Sequence, residues 1–381
     1  MLGVIIGIVS VVMTVGIGEG VKQEIAKQVN QFGDDLITVR PGNVREENGK
    51  IATNADLLFG LNTLTGLTDK DVRAVRSAQH VRLAAPLAVV PGVVEADTNG
   101  HKLQNSLVLA TNGDLPGALN RPLRYGDFFD NKDGQTNFAV IGSNVAGKLF
   151  DEQIPLGHSF KFRGETFVVR GIFDQFKSTP LSPVSNFNDA IFIPTPVAER
   201  LTNNGVQMYS ILAKPDKSAN TGAAIATIKQ GMLKAHGGQQ DFSVLSQKEN
   251  LAASSDVLSL ITSMIAAIAA ISLLVGGVGI MNIMLATVTE RMHEIGIRKA
   301  IGATNRQILN QFVLEAAVLS LIGGVLGIII SVAGVLILRL YTDLKPVISW
   351  QAIVVATLTS LLIGLIFGAL PATKAARKDH V

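Results

Sequence analysis

Four stretches of this chain, residues 1–17, 257–287, 307–340 and 350–370, carry almost no charge for long enough to cross a bilayer. A hydrocarbon core of about 30 Å takes about 20 apolar residues as a helix, because each backbone polar group in lipid must be satisfied within its own segment. Four membrane helices are therefore expected. The first run is the shortest. It lacks a basic lead, and its end at Gly16-Ile-Gly-Glu19 is not the small-x-small pattern of a signal cleavage site, so it reads as an uncleaved span whose cytoplasmic lead-in precedes the sequence.

Basic residues in the short flanks orient the spans. The 288–306 segment holds Arg291, Arg298, Lys299 and Arg306, and the 371–381 tail holds Lys374, Arg377 and Lys378. The 341–349 loop region offers only Lys345, with Arg339 just before it. Both termini and the 288–306 segment are placed in the cytoplasm. By parity the 18–256 region faces outward and 341–349 is a short outer loop.

The outward region starts with apolar residues at Val21, Ile25, Val29 and Phe32, a helical period that carries span one out of the membrane as a stalk. Residues 247–256 form the matching stalk into span two. Between them Thr68-x-x-Asp71 is a capping box opening a helix to about Gln79. Strands are expected at 36–40, 106–110, 138–141, 160–162, 166–173, 190–193 and 242–245, a helix at 220–234, and an exposed loop at 177–188. The whole reads as a membrane protein: four transmembrane α-helices with a large α+β extracytoplasmic domain inserted between spans one and two on helical stalks.

Several functions are excluded. With no cysteine there is no thiol chemistry, disulfide or cysteine metal site. The six histidines, His80, His101, His158, His236, His293 and His380, are scattered without ligand spacing, so no metal centre is expected. A net charge of +3 without a basic stripe leaves no nucleic-acid footprint. Gly142-Ser-Asn-Val-Ala-Gly-Lys148 has a phosphate-loop frame, but Leu149 stands where the magnesium-binding hydroxyl belongs, so it reads as a helix starting after a strand. No serine sits in a G-x-S-x-G elbow. No charge lies deep in a span, which argues against an ion-coupled transporter. Small residues do sit at helix-packing spacing: Gly3 and Gly7, Gly323 and Gly327, Gly364 and Gly368.

One segment concentrates charge between two spans: Glu290-Arg-Met-His-Glu-Ile-Gly-Ile-Arg-Lys-Ala-Ile-Gly-Ala303. Its charges demand water or a protein partner, and Ile295, Ile297 and Ile301 give it an apolar stripe, so it reads as a docking element. This segment, with Gln307-Ile-Leu and Gln311-Phe-x-x-Glu315, closely resembles the second-half signature of the MacB/FtsX-like permeases of ABC transporters. The opening Met1-Leu-Gly-Val-Ile-Ile-Gly-Ile-Val-Ser-Val with Gly18-Glu-Gly20 is similar to the first span of that family. Val140-Ile-Gly-Ser-Asn-Val-Ala-Gly-Lys-Leu-Phe150, Pro155-Leu-Gly157 and Asp189-Ala-Ile-Phe-Ile-Pro194 resemble its periplasmic core domain, and Pro371-Ala-x-Lys-Ala-Ala376 the start of its tail. The family's basic segment before span one is not seen, and the tail ends early, as in a stand-alone permease or a piece of a longer chain.

The resemblance implies a bacterial inner-membrane permease that works by mechanotransmission. It would act as a homodimer, or a pseudo-symmetric dimer with a related permease, exporting antibiotics, peptides or similar substrates from the periplasm or outer leaflet. No cofactor is expected on this chain; ATP and Mg would be bound by a partner ABC ATPase, in a separate subunit or a fused domain, so the permease itself is not an enzyme. A periplasmic adaptor and outer-membrane channel would be further partners, besides membrane lipid. Glu290, Arg291, Glu294, Ile295, Gly296, Ile297, Arg298, Lys299, Ile301 and Gly302 are the ATPase-coupling residues, with the isoleucines entering the partner's groove and the charges fixing register. Alternatives are a lipoprotein-extraction permease or a cell-wall-hydrolase regulator of the same family, or, in another class, a membrane-anchored ligand sensor.

Overall fold

Residues that alternate between two apolar faces build the central sheet of the outward region. The computed structural model describes residues 2–30, 32–42, 66–97, 100–103, 107–130, 136–176, 186–203, 205–216, 220–341, 346–348 and 350–377. The chain divides into two units, Glu24–Asp256 on one hand and Met1–Gln23 with Val257–Val381 on the other.

In the first unit the strands are β1 (Ile37–Pro41), β2 (Val81–Val89), β3 (Val94–Ala96), β4 (Lys102–Leu103), β5 (Leu107–Thr111), β6 (Leu123–Gly126), β7 (Phe138–Ile141), β8 (Ser159–Phe162), β9 (Glu165–Phe173), β10 (Ala190–Pro194), β11 (Met208–Pro215) and β12 (Phe242–Ser246). They form one mixed sheet in the order β12-β1-β11-β2-β5-β10-β7-β9-β8-β3-β4, with β6 on β9. Two pairs, β5 with β10 and β7 with β9, are parallel. Along β10, Ile191 and Ile193 enter one core while Ala190 and Phe192 enter the other, so the strand is buried on both faces. The first core takes helices α2 (Asp69–Arg76), α4 (Ser143–Phe150) and α6 (Thr221–Ala235), through Val72 and Val75, Val145 and Leu149, and Ala224, Ile228 and Met232. The second takes the short α3 (Leu115–Ala118) and a group of phenylalanines, with Phe173 and Phe192 5.1 Å apart at 67°. Helix α5 (Thr195–Leu201) follows β10.

The start of α2 is held as the Thr68-x-x-Asp71 spacing predicts. Asp71 Oδ2 accepts from the Thr68 backbone N–H at 2.7 Å and from its hydroxyl at 2.9 Å. His236 Nε2, beyond the end of α6, lies 2.9 Å from Asp71 Oδ1, and this carboxylate is 4% exposed. Asp71→Asn, which keeps the shape but removes an acceptor from that cluster, is expected to cost about 1–3 kcal/mol in denaturant unfolding of the full chain. A change below a few tenths would mean the cap is idle.

Two expectations are corrected and a third is borne out. The helix opened by the cap ends at Arg76 rather than near Gln79. The loop placed at 177–188 falls on residues outside the described ones up to 185. At its far end Phe187 and Asn188 are buried, with Asn188 Oδ1 accepting from Phe176 N at 2.8 Å. The Gly142 frame is indeed a strand-to-helix turn: its Lys148 Nζ is 2.8 Å from Asp189 Oδ1 and is occupied there.

In the second unit, among the described residues, four helices are long and apolar enough to cross a membrane. They are α1 (Leu2–Asn30) and α7 (Gln247–Glu290), whose residues from Glu24 and up to Asp256 are counted with the first unit, and α9 (Asn305–Tyr341) and α10 (Trp350–Arg377), with the short α8 (Met292–Ala300) between α7 and α9. Helix α7 has 44 residues and is about 66 Å long, more than twice a hydrocarbon core. Helix α1 has 29 residues, about 43 Å. Each is a single helix through both span and stalk. Helix α10 continues through Pro371 to Arg377, where a tail was expected from 371. The proline lacks the N–H that would reach the Phe367 carbonyl, yet Ala372 and Ala375, at 0% and 1% exposed, pack into the helix core and hold the last turns.

Small residues set the crossings. A Cβ on Gly3 would stand 2.7 Å from Gly276 Cα of α7, and one on Gly7 2.5 Å from Leu273 Cδ2. On α9, Gly327 leaves room for Ile8 of α1, while Gly323 has 3.5 Å to Val4 and is not crowded. On α10, Gly364 faces Ser320 and Ala317 and Gly368 faces Ala316 of α9. Beside that seam Ser320 Oγ donates to the Ser360 carbonyl and Ser360 Oγ to the Ser320 carbonyl, the latter at 2.6 Å, with both residues 0% exposed. Near the short loop, Val347 N donates to the Gly16 carbonyl at 2.9 Å.

Candidate functional site

The charged 290–303 segment becomes helix α8, set off from α7 by a single turn residue, Arg291. Successive helical residues turn by about 100°, so Ile297 and Ile301 share a face while Ile295 lies on the other side. The structure follows that geometry. Ile295, expected on the outward stripe, is instead 6% exposed and packs into a core with Val288 of α7 and Ile308 and Phe312 of α9. Ile297 and Ile301 are 48% and 83% exposed. Helix α8 is thus amphipathic in a double sense, one isoleucine seating it on its own unit and two facing away.

The end of α8 is built by Gly302. Its φ of +106° lies in the left-handed region, where a side chain would be strained. Gly302 N donates to Lys299 O and Ala303 N to Arg298 O, both at 3.0 Å, the paired bonds that close a helix at a left-handed glycine. Two residues on, Thr304 caps α9: Gln307 Oε1 accepts from Thr304 N at 2.8 Å, and Gln307 N donates to Thr304 Oγ1 at 3.3 Å. A C-cap and an N-cap back to back give α8 a fixed exit, so it is a defined hairpin arm and not a loose loop.

Its charges divide into two groups. Arg298 Nη1 donates to Gln311 Oε1 at 2.6 Å, and Arg291 Nη1 is 3.6 Å from Glu315 Oε1, so both guanidinium groups tie the arm to α9. The Arg291 and Glu315 side chains are 47% and 36% exposed, which makes the pair worth no more than about 1 kcal/mol. Glu290 and Glu294 are exposed, as is His293, and Lys299 is half-buried. Gly296 is half-buried, and a Cβ there would meet no described residue within 4 Å. The exposed surface therefore combines Ile297 and Ile301 with Glu294 and the outer edges of Arg298. Gln311 and Glu315 belong to the site as anchors, a role their place in the recognised motif did not reveal; Thr304-x-x-Gln307 was a legible cap that sequence reasoning passed over.

Two family models match the chain: the MacB-like periplasmic core domain over residues 1–230 and the FtsX-like permease C-terminal region over residues 266–379. The chain is 32% identical over 383 residues to the macrolide export ATP-binding/permease protein MacB of Azoarcus sp. (strain BH72), a match covering 100% of this chain and 56% of that protein. It is 35% identical over 388 residues to the pyoverdine export ATP-binding/permease protein PvdT of Pseudomonas aeruginosa, covering 100% and 55%. The chain spans little more than half the length of these relatives. The crystal structure of the periplasmic region of MacB from Actinobacillus actinomycetemcomitans aligns with a TM-score of 0.47 at 15% identity, over 59% of this chain and 95% of that one, too weak a likeness to bear on the fold.

Proposed function

The chain belongs to the MacB/FtsX-like permeases of ABC transporters, and from that premise we propose that α8 is the surface on which a cytoplasmic ATP-binding module acts to drive export. The observation that carries this reading is the division of α8 into a buried Ile295 and an outward Ile297 and Ile301, an apolar docking face on an arm fixed at both ends. ATP and Mg are bound by that module, fused or separate, and this chain supplies the membrane helices and the extracytoplasmic domain. Two permease copies, or one with a related partner, pair in the inner membrane with the basic side of the spans and both termini inward. Closure of the ATP-binding modules presses on α8, and α1 and α7, each a single helix through span and stalk, carry the displacement outward. Cargo is taken from the periplasm or outer leaflet; antibiotic- or peptide-like molecules are the class, in line with relatives named for macrolide and pyoverdine export.

The test is co-purification with the ATP-binding module, followed by ATPase and transport assays in proteoliposomes. The double charge reversal Arg298→Glu with Lys299→Glu is expected to reduce substrate-stimulated ATP hydrolysis about tenfold or more while the protein still inserts and folds. Full coupling in that variant, and in the isoleucine variants treated in the Discussion, would remove α8 as the docking surface.

A further inference from the structure

The α+β unit contains a cavity of about 250 Å³ at the carboxyl ends of the parallel strands β5 and β10. Crevices outside the carboxyl ends of parallel strands are recurrent ligand sites. Strand register pairs Thr111, the last residue of β5, with Pro194, so Thr111 and Thr195 stand side by side on the cavity wall. The two threonines are 0% and 7% exposed, and among the described residues neither hydroxyl has a hydrogen-bond partner. A buried hydroxyl left unpaired costs about 1–3 kcal/mol, so two of them on one wall point to a guest that pairs with them.

The charge of the lining specifies that guest. Asp69, Asp130 and Glu199 all border the cavity. Arg76 also lines it but is already matched, its Nη2 3.6 Å from Asp114 Oδ2, and Asp69 is 3.7 Å from Arg73 on an exposed rim. Burial, and then the neighbouring charge of Asp69, holds the Glu199 carboxyl above the usual carboxylate range. Phe129 and Val72 supply an apolar wall.

We propose that this cavity binds an organic ammonium group, with the cation at the Glu199 carboxylate, its N–H donors shared with the Thr111 and Thr195 hydroxyls, and its carbon body on Phe129. A volume below the range of about 300–1,000 Å³ typical for whole drug-sized ligands fits the amine-bearing end of a larger molecule. The site stands apart from the coupling surface, and its binding is measured without any ATP-binding module, so either reading can fail alone.

The probe is benzylamine, titrated calorimetrically into the full chain in nanodiscs, with empty nanodiscs subtracted and with benzyl alcohol and benzoate as the neutral and anionic comparators. Saturable one-site binding of benzylamine alone is expected, weakened at least tenfold by Glu199→Gln. Thr195→Val, which deletes an unpaired hydroxyl at constant shape, is expected to weaken binding threefold or more while leaving the unfolding midpoint unchanged or raised. A residue that merely supports the fold would lower the midpoint instead. Equal affinity for benzyl alcohol or benzoate, unchanged benzylamine affinity in both variants, or no saturable heat, meaning a cavity that holds water only, would overturn the assignment.

Discussion

Ile301→Asp is expected to abolish coupled transport while the protein remains folded and inserted, with Ile297→Asp having the same effect in smaller measure. Ile301 is 83% exposed and Ile297 48%, so neither substitution disturbs the interior of the permease. A carboxylate placed in an apolar docking groove must be desolvated without a partner. Truncating a central residue of such a contact alone costs about 2–4 kcal/mol, or about 30- to 1,000-fold in affinity. The measurement is affinity for the ATP-binding module by co-purification and titration, together with transport-linked ATP hydrolysis. The contrasting variant is Ile295→Asp, which introduces a charge into the core shared by α7, α8 and α9 and is expected to prevent folding of that region. A protein that tolerates Ile301→Asp with coupling intact would show that the exposed face of α8 carries nothing.

Gly364→Leu is expected to destabilise the membrane unit by about 3 kcal/mol or more, read as a fall of roughly 6–12 °C in the thermal midpoint of the solubilised protein. A Cβ at this position would stand 2.7 Å from Ser320 Cβ, 2.9 Å from the Ala316 carbonyl oxygen and 2.9 Å from Ala317 Cα. Two of those three atoms are backbone, so α9 and α10 must separate, and the reciprocal Ser320 and Ser360 bonds must stretch with them. Gly323→Ala is the control from the same spacing motif. Its Cβ would meet Val4 at 3.5 Å, an ordinary contact, and the change is expected to be neutral within about 0.5 kcal/mol. If both substitutions were equally harmless, the glycines would be incidental to packing.

The membrane helices were legible because hydrocarbon imposes one solution on an uncharged run, and the stalk period at Val21, Ile25 and Val29 extended α1 by the same logic. In the α+β unit, strands with turn chemistry beside them, such as β7 and β9, were legible too. Strands β2 and β11 were not named. Val81-Arg-Leu-Ala-Ala-Pro-Leu-Ala-Val89 is buried on both faces through its centre, so it shows no alternation, and its alanines and proline carry little strand propensity. The inward turn of Ile295 needed the helical phase of α8, which follows once Gly302 and Thr304 are recognised as caps on either side of a turn. The cavity between β5 and β10 was beyond reach, since it gathers residues from 69–76, 111–130 and 194–199 that only the sheet order brings together.

The contact of Gly3 with Gly276 has a mechanical corollary. Gly276, Gly277 and Gly279 are the stretch of α7 with the lowest intrinsic helicity, each costing up to about 1 kcal/mol against alanine, and α1 lies against the helix at that weak place like a splint. A fulcrum there divides α7 unequally, with 29 residues toward Gln247 and 14 toward Glu290. Any tilt about it moves the far end about twice as far as the end joined to α8, the long arm being about 43 Å and the short one about 21 Å. On the proposed mechanism, the ratio of travel would follow from where a pair of glycines falls along one helix.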